Sequence, residues 1–238
     1  MKKRLKINGI LIFVASVLLV FFPKVFFRAS GREFPEAIIE SCGLALIMLG
    51  QLIRVSARGF KAEHSQQGEA LIDNGPYALV RNPMYLGILL IGVGVVMMLL
   101  NWWLGLVFAL IFFARYILLI DKEEYKLTAL FKEDYLSYKK KVPRLLPSLG
   151  MLLRSEFTEY LPIKLSWLKK EIGTIAAVLF VALFLESWED ISKNGIAMYI
   201  KEALIMLTMF FLFLLLSAYI IKRTNAIEKN GSNKSQDN

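Results

Sequence analysis

The chain alternates long apolar runs with short polar, lysine-rich or proline-broken segments. A bilayer core of ~30 Å takes about 20 residues of α-helix. Six stretches reach or approach that length: roughly Ile7 to Phe22, Ala37 to Ile53, Met84 to Leu100, Leu104 to Ile120, Ile172 to Leu185 and Ala203 to Ile221. The pattern predicts an all-α, polytopic membrane bundle of about six transmembrane helices with amphipathic helices on the cytoplasmic side. Leu127, Phe131, Tyr135, Tyr138 and Val142 recur at helical intervals after Asp121, which predicts one such helix. It starts near Glu123-Glu124, carries its apolar stripe along the membrane surface and stops at Pro143. Residues from Leu145 to Glu171 mix apolar residues with scattered lysines and predict a second in-plane segment.

The polar stretch entering the third apolar run is the most informative. Gly75-Pro76 and Asn82-Pro83 are both turn signals, because the residue before a proline is pushed out of the helical region while proline suits a first helical turn. A helix therefore begins at Pro83 with Asn82 as its cap. Arg81, Asn82 and Tyr85 then sit where a membrane helix meets water. Gly87 and Gly94 are seven residues apart and share a face, open to close approach by another backbone or by a ligand. Asn101-Trp102-Trp103 makes a short hairpin with its tryptophans at the outer interface, so the third and fourth spans are antiparallel neighbours.

Composition agrees with this reading. Fifty-six per cent of the 238 residues are hydrophobic, far above a soluble domain. The net charge of +9 does not point to nucleic acid, since no basic-aromatic binding motif accompanies it. With the N-terminus cytoplasmic, the inside segments hold 23 of the 29 lysines and arginines, the outside loops five, and Arg115 lies within a span. The N-terminal Met-Lys-Lys-Arg-Leu-Lys and the apolar run behind it imitate a signal peptide, but Phe21-Phe22-Pro23 stands where a small-residue cleavage site is required, so the run is expected to stay as the first span. Residues 1–224 are expected to form one membrane domain and residues 225–238 a disordered polar tail. Cys42 is the only cysteine and His64 the only histidine, and neither belongs to a metal-ligating cluster, so no metal is expected. Localisation follows as an integral membrane protein, of the inner or plasma membrane if the source is bacterial, with its site on the cytoplasmic face. Oligomeric state is not legible.

The residues gathered at that face are Arg81, Arg115 and Arg144, the Glu123-Glu124 pair, and several tyrosines. They include no nucleophile–base pair, which disfavours hydrolysis. Methyl transfer from a sulfonium donor fits them: the reagent is the electrophile, and the protein supplies proximity, alignment and desolvation. An arginine within a span is by default a functional hypothesis, weighed evenly here against simple snorkelling.

Two blocks carry a family resemblance. Leu71-Ile-Asp-Asn-Gly75-Pro76-Tyr77-Ala-Leu-Val-Arg81-Asn82-Pro83-Met84-Tyr85-Leu-Gly87 is followed by Asp121-Lys-Glu123-Glu124-Tyr-Lys-Leu127, then by Phe131 to Arg144. Together they resemble the isoprenylcysteine carboxyl methyltransferases, which share their core with membrane phospholipid methyltransferases; the resemblance covers about residues 50–147. It implies S-adenosyl-L-methionine as cofactor and a lipid or lipidated substrate within the membrane. By position it assigns Gly75, Pro76, Tyr77, Arg81, Asn82, Pro83, Tyr85, Gly87, Glu124, Tyr135 and Tyr138 to cofactor binding, and Glu123, Glu124, Arg115 and Arg144 to catalysis. The implied function is methyl transfer resembling that of protein-S-isoprenylcysteine carboxyl O-methyltransferase. Phospholipid or other lipid N-methylation, or a non-catalytic protein keeping the fold, are the alternatives. Asn82 replaces the family's histidine, and Lys132 stands where the family usually has glycine, a substitution expected to matter little inside a helix.

Overall fold

The computed structural model describes residues 23–26, 34–65, 68–148, 150, 160–176, 204, 207–208 and 211–226. The first predicted span, most of the fifth and most of the segment from Leu145 to Tyr160 lie outside the described residues. Among those described, the fold is helical throughout, without strands. In chain order the elements are α1 (Pro23–Phe26), α2 (Phe34–His64), α3 (Pro76–Leu79), α4 (Pro83–Leu99), α5 (Trp103–Lys141), α6 (residues 165–176) and α7 (residues 211–226). Two helical segments, Ile38–His64 and Trp103–Lys141, are long and apolar enough to cross a membrane, and Pro83–Leu99 is a shorter apolar helix.

The expected end of the second span at Ile53 is only a change of polarity. The helix continues unbroken to His64, 31 residues in all. That is about 46 Å of helix, longer than a bilayer core, so α2 carries its polar end out beyond the membrane. α2 and α4 are in close backbone contact through glycines. A Cβ on Gly43 would stand 2.7 Å from the Gly94 carbonyl oxygen, and one on Gly50 2.6 Å from that of Gly87. Around this seam Leu44, Ile47, Met48, Leu52, Leu86, Met98 and Leu99 form the core, and Phe213 and Ile220 of α7 join it. α5 contributes far less to that core and leaves Leu106, Leu110, Ile111 and Leu118 exposed, the surface a lipid-facing helix presents.

At the far end of the α4–α5 hairpin, Asn101 is tied to α1: its amide N–H donates to the Phe26 carbonyl at 3.0 Å and its Nδ2 to that of Val25 at 2.8 Å. Residues 23–26 and the hairpin therefore share one face of the bundle. The polar end of α2 is covered by residues 160–176. Ser56 Oγ donates to the Pro162 carbonyl at 2.6 Å, Arg58 pairs with Glu171 at 2.7 Å, and Trp167 lies over Gly59 while its Nε1 donates to Glu63 at 2.6 Å. His64 stacks on Phe60 with ring centroids 4.0 Å apart, and its Nδ1 lies 2.9 Å from the Phe60 carbonyl oxygen. α7 extends through Asn225 and Ala226, two residues into the expected polar tail; the rest of that tail lies outside the described residues.

α5 departs most from expectation. No new helix begins at Glu123; span four runs straight into it as one element, broken at Lys132, whose backbone has φ 46° and ψ −116°. Lys139 Nζ lies 3.5 Å from Glu124 Oε2, whereas a continuous helix would place these residues about 22 Å apart along its axis. The chain therefore folds back at Lys132. The expected apolar stripe is real as a set of residues, but it is a small core between two arms: Tyr135, Tyr138 and Val142 pack with Leu127, Phe131 and Leu71. An in-plane amphipathic helix over these residues is thereby corrected.

Candidate functional site

Four elements meet at one end of the bundle, and the turn between α3 and α4 lies at their centre. Gly75 has φ 54° and ψ −132°, a conformation open to glycine, and a Cβ there would press on the Phe60 ring at 2.8 Å. This glycine brings the turn down onto the end of α2. Pro76 is buried, and the Tyr77 hydroxyl reaches the Ala57 carbonyl at 3.4 Å. Val80 is extended, and the following amide, that of Arg81, donates to the Pro143 carbonyl at 2.9 Å.

Asn82 is the N-cap residue of α4, and the buried Pro83 opens that helix, as the sequence predicts. Its side chain does something else. It makes no capping bond; its Nδ2 donates to the Arg144 carbonyl at 3.0 Å, and only the Asn82 main-chain oxygen receives the amides of Tyr85 and Leu86. Side-chain capping by Asn82 is corrected: the residue ties the start of α4 to the segment after α5. A third tie is the Tyr138 hydroxyl, which donates to the Tyr77 carbonyl at 2.7 Å.

Within this frame Glu124 is 6% exposed and is surrounded by cations. Arg81 Nη1 lies 3.3 Å from its Oε2, Lys139 Nζ 3.5 Å from the same oxygen, and Arg144 Nε 3.5 Å from its Oε1. Arg144 also pairs with Asp121. A buried carboxylate needs such partners. These five groups carry three positive and two negative charges, and the charges are close but poorly aligned as hydrogen bonds. Arg81 Nε and Nη1, Arg144 Nε and Glu124 Oε1 are buried without a hydrogen-bond partner among the described residues. Donors and an acceptor are thus left over in a desolvated place.

One turn deeper, the Tyr85 hydroxyl donates to Glu123 Oε1 at 2.8 Å, and its ring lies 5.2 Å from that of Tyr116. Tyr135 lines the fold-back, its phenol pushed up to about 12 chiefly by burial. Burial also raises the phenols of Tyr77 and Tyr138. All three stay protonated at neutral pH and act only as neutral hydrogen-bonding groups.

Arg81, Asn82, Tyr85, Glu123, Glu124, Tyr135, Tyr138 and Arg144 therefore converge, together with the backbone of Gly75, Pro76, Tyr77 and Pro83. Two sequence-predicted residues stand apart. Gly87 faces α2, where a Cβ would lie 2.6 Å from the Gly50 carbonyl oxygen. The ion pairs of Glu124 among the described residues are with Arg81, Lys139 and Arg144, whereas the Arg115 guanidinium carbon lies 6.0 Å from the centroid of the Tyr116 ring. Two residues not selected from sequence enter the cluster. Asp121, three residues before Glu124, shares its helical face and was legible in that spacing. Lys139 left no local signal, because only the fold-back brings it to Glu124.

Comparison with known proteins bears on this region. Residues 39–134 match the family model described as phospholipid methyltransferase. The chain is 33% identical over 117 residues to protein-S-isoprenylcysteine O-methyltransferase of Mus musculus, covering 46% of this chain and 41% of that protein. It is 31% identical over 123 residues to the Schizosaccharomyces pombe protein of the same name, 48% and 52% of the two chains. To protein-S-isoprenylcysteine O-methyltransferase B of Arabidopsis thaliana it is 30% identical over 117 residues, 46% and 59%. The chain spans about half the length of these curated relatives. No solved structure matches. The matched segment contains the α2–α4 seam, the Arg81 turn and the Glu123-Glu124 arm, and in this core the chain is similar to the isoprenylcysteine O-methyltransferases and to the phospholipid methyltransferase family model.

Proposed function

We propose that the chain is an integral membrane methyltransferase using S-adenosyl-L-methionine and acting, at the cytoplasmic face, on a lipid-linked acceptor, with a prenylcysteine carboxylate as the acceptor most like that of its relatives. The observation that carries this reading is the buried Arg81–Glu124 pair, flanked by the more exposed Arg144 and Lys139, which among the described residues keeps unused buried donors and an unused acceptor at the end of two membrane-length helices. With Asp121 counted, the cluster keeps one positive charge in excess, which suits the cofactor's carboxylate, a group that a guanidinium can grip with two parallel hydrogen bonds. Arg81 and Arg144 would hold that carboxylate. Glu124, Tyr135 and Tyr138 would serve the cofactor's amine and hydroxyl groups, and the backbone from Gly75 to Tyr77 would wall the site.

When bound, S-adenosylmethionine supplies a methyl group already activated on a sulfonium. The chain's part is binding, orientation and exclusion of water. Tyr85 fixes the Glu123 carboxylate, which would favour binding of the cationic donor over its neutral product; because the sulfur loses its charge as the methyl leaves, this serves cofactor recognition and not the barrier itself. Around this site we place six spans with both termini cytoplasmic, supported by the distribution of basic residues and by the shared position of residues 23–26 and Asn101. Methylation of a phospholipid amine is the second reading, favoured by the description of the matching family model.

Purified protein in nanodiscs should bind S-adenosylmethionine in calorimetry, and Glu124→Ala and Arg81→Ala should each weaken it at least about tenfold, the scale of one charge-assisted hydrogen bond. Radiolabelled methyl should pass to N-acetyl-S-farnesylcysteine in preference to phosphatidylethanolamine. Equal cofactor affinity in parent and both variants would refute the placement, and label on the amine alone would favour the second reading.

A further inference from the structure

Residues 160–171 lie outside the segment that matches the family model, and no residue assigned to the cofactor is among them. They are nonetheless docked on the polar end of α2 by buried groups. Leu161, Ile163 and Trp167 are buried, as is Ser56, whose Oγ donates to the Pro162 carbonyl at 2.6 Å. The Ile163 amide donates to Thr224 Oγ1 of α7 at 3.2 Å. The Trp167 ring occupies the place where a Cβ on Gly59 would stand, so α2 admits it only because that residue is glycine. Glu63 holds the segment by both oxygens: Oε1 accepts from Trp167 Nε1 at 2.6 Å, and Oε2 from Lys164 Nζ at 2.7 Å.

The consequence runs through one ring. Trp167 meets Phe60 edge to face, with centroids 6.4 Å apart and planes at 85°, while His64 stacks on Phe60 with planes 12° apart. Phe60, held in this way, is the surface on which the Gly75 backbone rests, for a Cβ on Gly75 would lie 2.8 Å from that ring. Pro76 and Tyr77 follow in the same turn, and the Tyr77 carbonyl accepts from the Tyr138 hydroxyl. Contact is therefore unbroken from Glu63 and Trp167, through Phe60 and the Gly75 turn, to Tyr138. The other support of the turn on α2 is the bond from the Tyr77 hydroxyl to the Ala57 carbonyl, and at 3.4 Å it is long for a hydroxyl donor. Phe60 is the firmer support, and close-packed contacts of this kind pass a displacement on with little slack.

We propose that Trp167 is a positioning residue for the cofactor site: acting through Phe60, it sets the place of the Gly75–Tyr77 turn, so that docking of residues 160–171 on α2 is coupled to cofactor affinity. This rests on the methyltransferase reading and adds a determinant that lies outside the matched segment. Coupling between two sites is reciprocal and typically amounts to about 5–150-fold. Bound cofactor therefore holds the segment down as strongly as the docked segment favours the cofactor.

The test uses the full chain in nanodiscs and measures S-adenosylhomocysteine affinity by calorimetry, well below the unfolding temperature of each variant. Trp167→Ala should weaken binding about fivefold or more. Trp167→Phe, which keeps a ring against Phe60 and loses the bond to Glu63, should recover most of that loss. Phe60→Leu should weaken binding as Trp167→Ala does, and combining the two should cost nothing further, because the tryptophan acts through that ring. Leu165→Ala, at an exposed position of the same helix, should bind like the parent. In the parent, S-adenosylhomocysteine should slow amide exchange across residues 164–171 about fivefold or more, and this measurement decides the matter if Trp167→Ala does not fold. If Trp167→Ala melts earlier yet binds like the parent, the segment only stabilises the fold and the proposal falls. It falls equally if the losses from Phe60→Leu and Trp167→Ala add, or if exchange across residues 164–171 ignores the ligand. In each case intact binding by the parent leaves the methyltransferase reading standing, whereas failure of the parent to bind S-adenosylhomocysteine removes both.

Discussion

Gly75 and Lys132 occupy neighbouring points of the backbone map, at φ 54° and φ 46° with ψ near −132° and −116°, and only the glycine goes there without a steric cost. A non-glycine residue in such a region costs of order 1–3 kcal/mol. The strain is held because the fold-back at Lys132 closes the ion pair between Glu124 and Lys139 and packs Tyr135 and Tyr138 against the turn. Lys132→Gly should therefore stabilise the protein by about 1 kcal/mol, after allowing for glycine's greater unfolded-state freedom, read as a higher Tm in detergent. Lys132→Ala should give no such gain, since alanine meets the same clash, and a rise in Tm for alanine equal to that for glycine would refute the strain. Asn82 makes a similar point. Its side chain is bonded to the Arg144 carbonyl and does not cap α4, so Asn82→Ser, harmless if capping were its role, should cost about as much as Asn82→Ala, roughly 1 kcal/mol. Asn82→His, whose ring can still donate, should cost less.

At the scale of elements, the α2–α4 seam has little tolerance. Gly94→Ala would place a Cβ 2.4 Å from the Gly43 carbonyl oxygen, a backbone atom that cannot step aside. Overpacking of this kind costs about 1–3 kcal/mol. Gly105→Ala provides the contrast. Its Cβ would meet only Val96 at 3.6 Å, within ordinary contact, and helix propensity then favours alanine by up to ~1 kcal/mol. Thermal unfolding of the two variants should move in opposite directions, and a shift of the same sign in both would overturn this account of the seam.

For the whole molecule, the ties of Asn101 to Val25 and Phe26 at one end, and of Arg81, Asn82 and Tyr138 to their partners at the other, fix which loops share a membrane face. Combined with the excess of lysine and arginine near the site, this leads to a specific labelling result. In a Cys42→Ala background, a cysteine at Ser187 should react with an impermeant thiol reagent from outside, and one at Ser232 only after the membrane is opened. Reaction of both from one side would exclude the six-span arrangement.

Much of this was legible in the chain itself, because the signals are local. Apolar runs long enough to span a bilayer, Pro83 at the start of α4, Gly75 in its turn, the short hairpin at Asn101 and the two motif blocks depend on residues within a few positions of one another, and each constrains its own backbone or its own depth in the membrane. Tertiary structure decided what depends on distant residues. The helix through Glu123 continues a span rather than starting anew, because nothing between Ile120 and Phe131 interrupts its hydrogen bonding. It folds back at Lys132 because burying Tyr135, Tyr138 and Val142 against Leu71 and Leu127 outweighs the strain of one unfavourable φ. Gly87 faces a helix that lies decades of residues earlier in the chain, Lys139 meets Glu124 only across the fold, and Asn82 spends its amide on a carbonyl 62 positions away. Spacing along a sequence records helical faces and turns; it holds no measure of which faces will be pressed together once the helices pack.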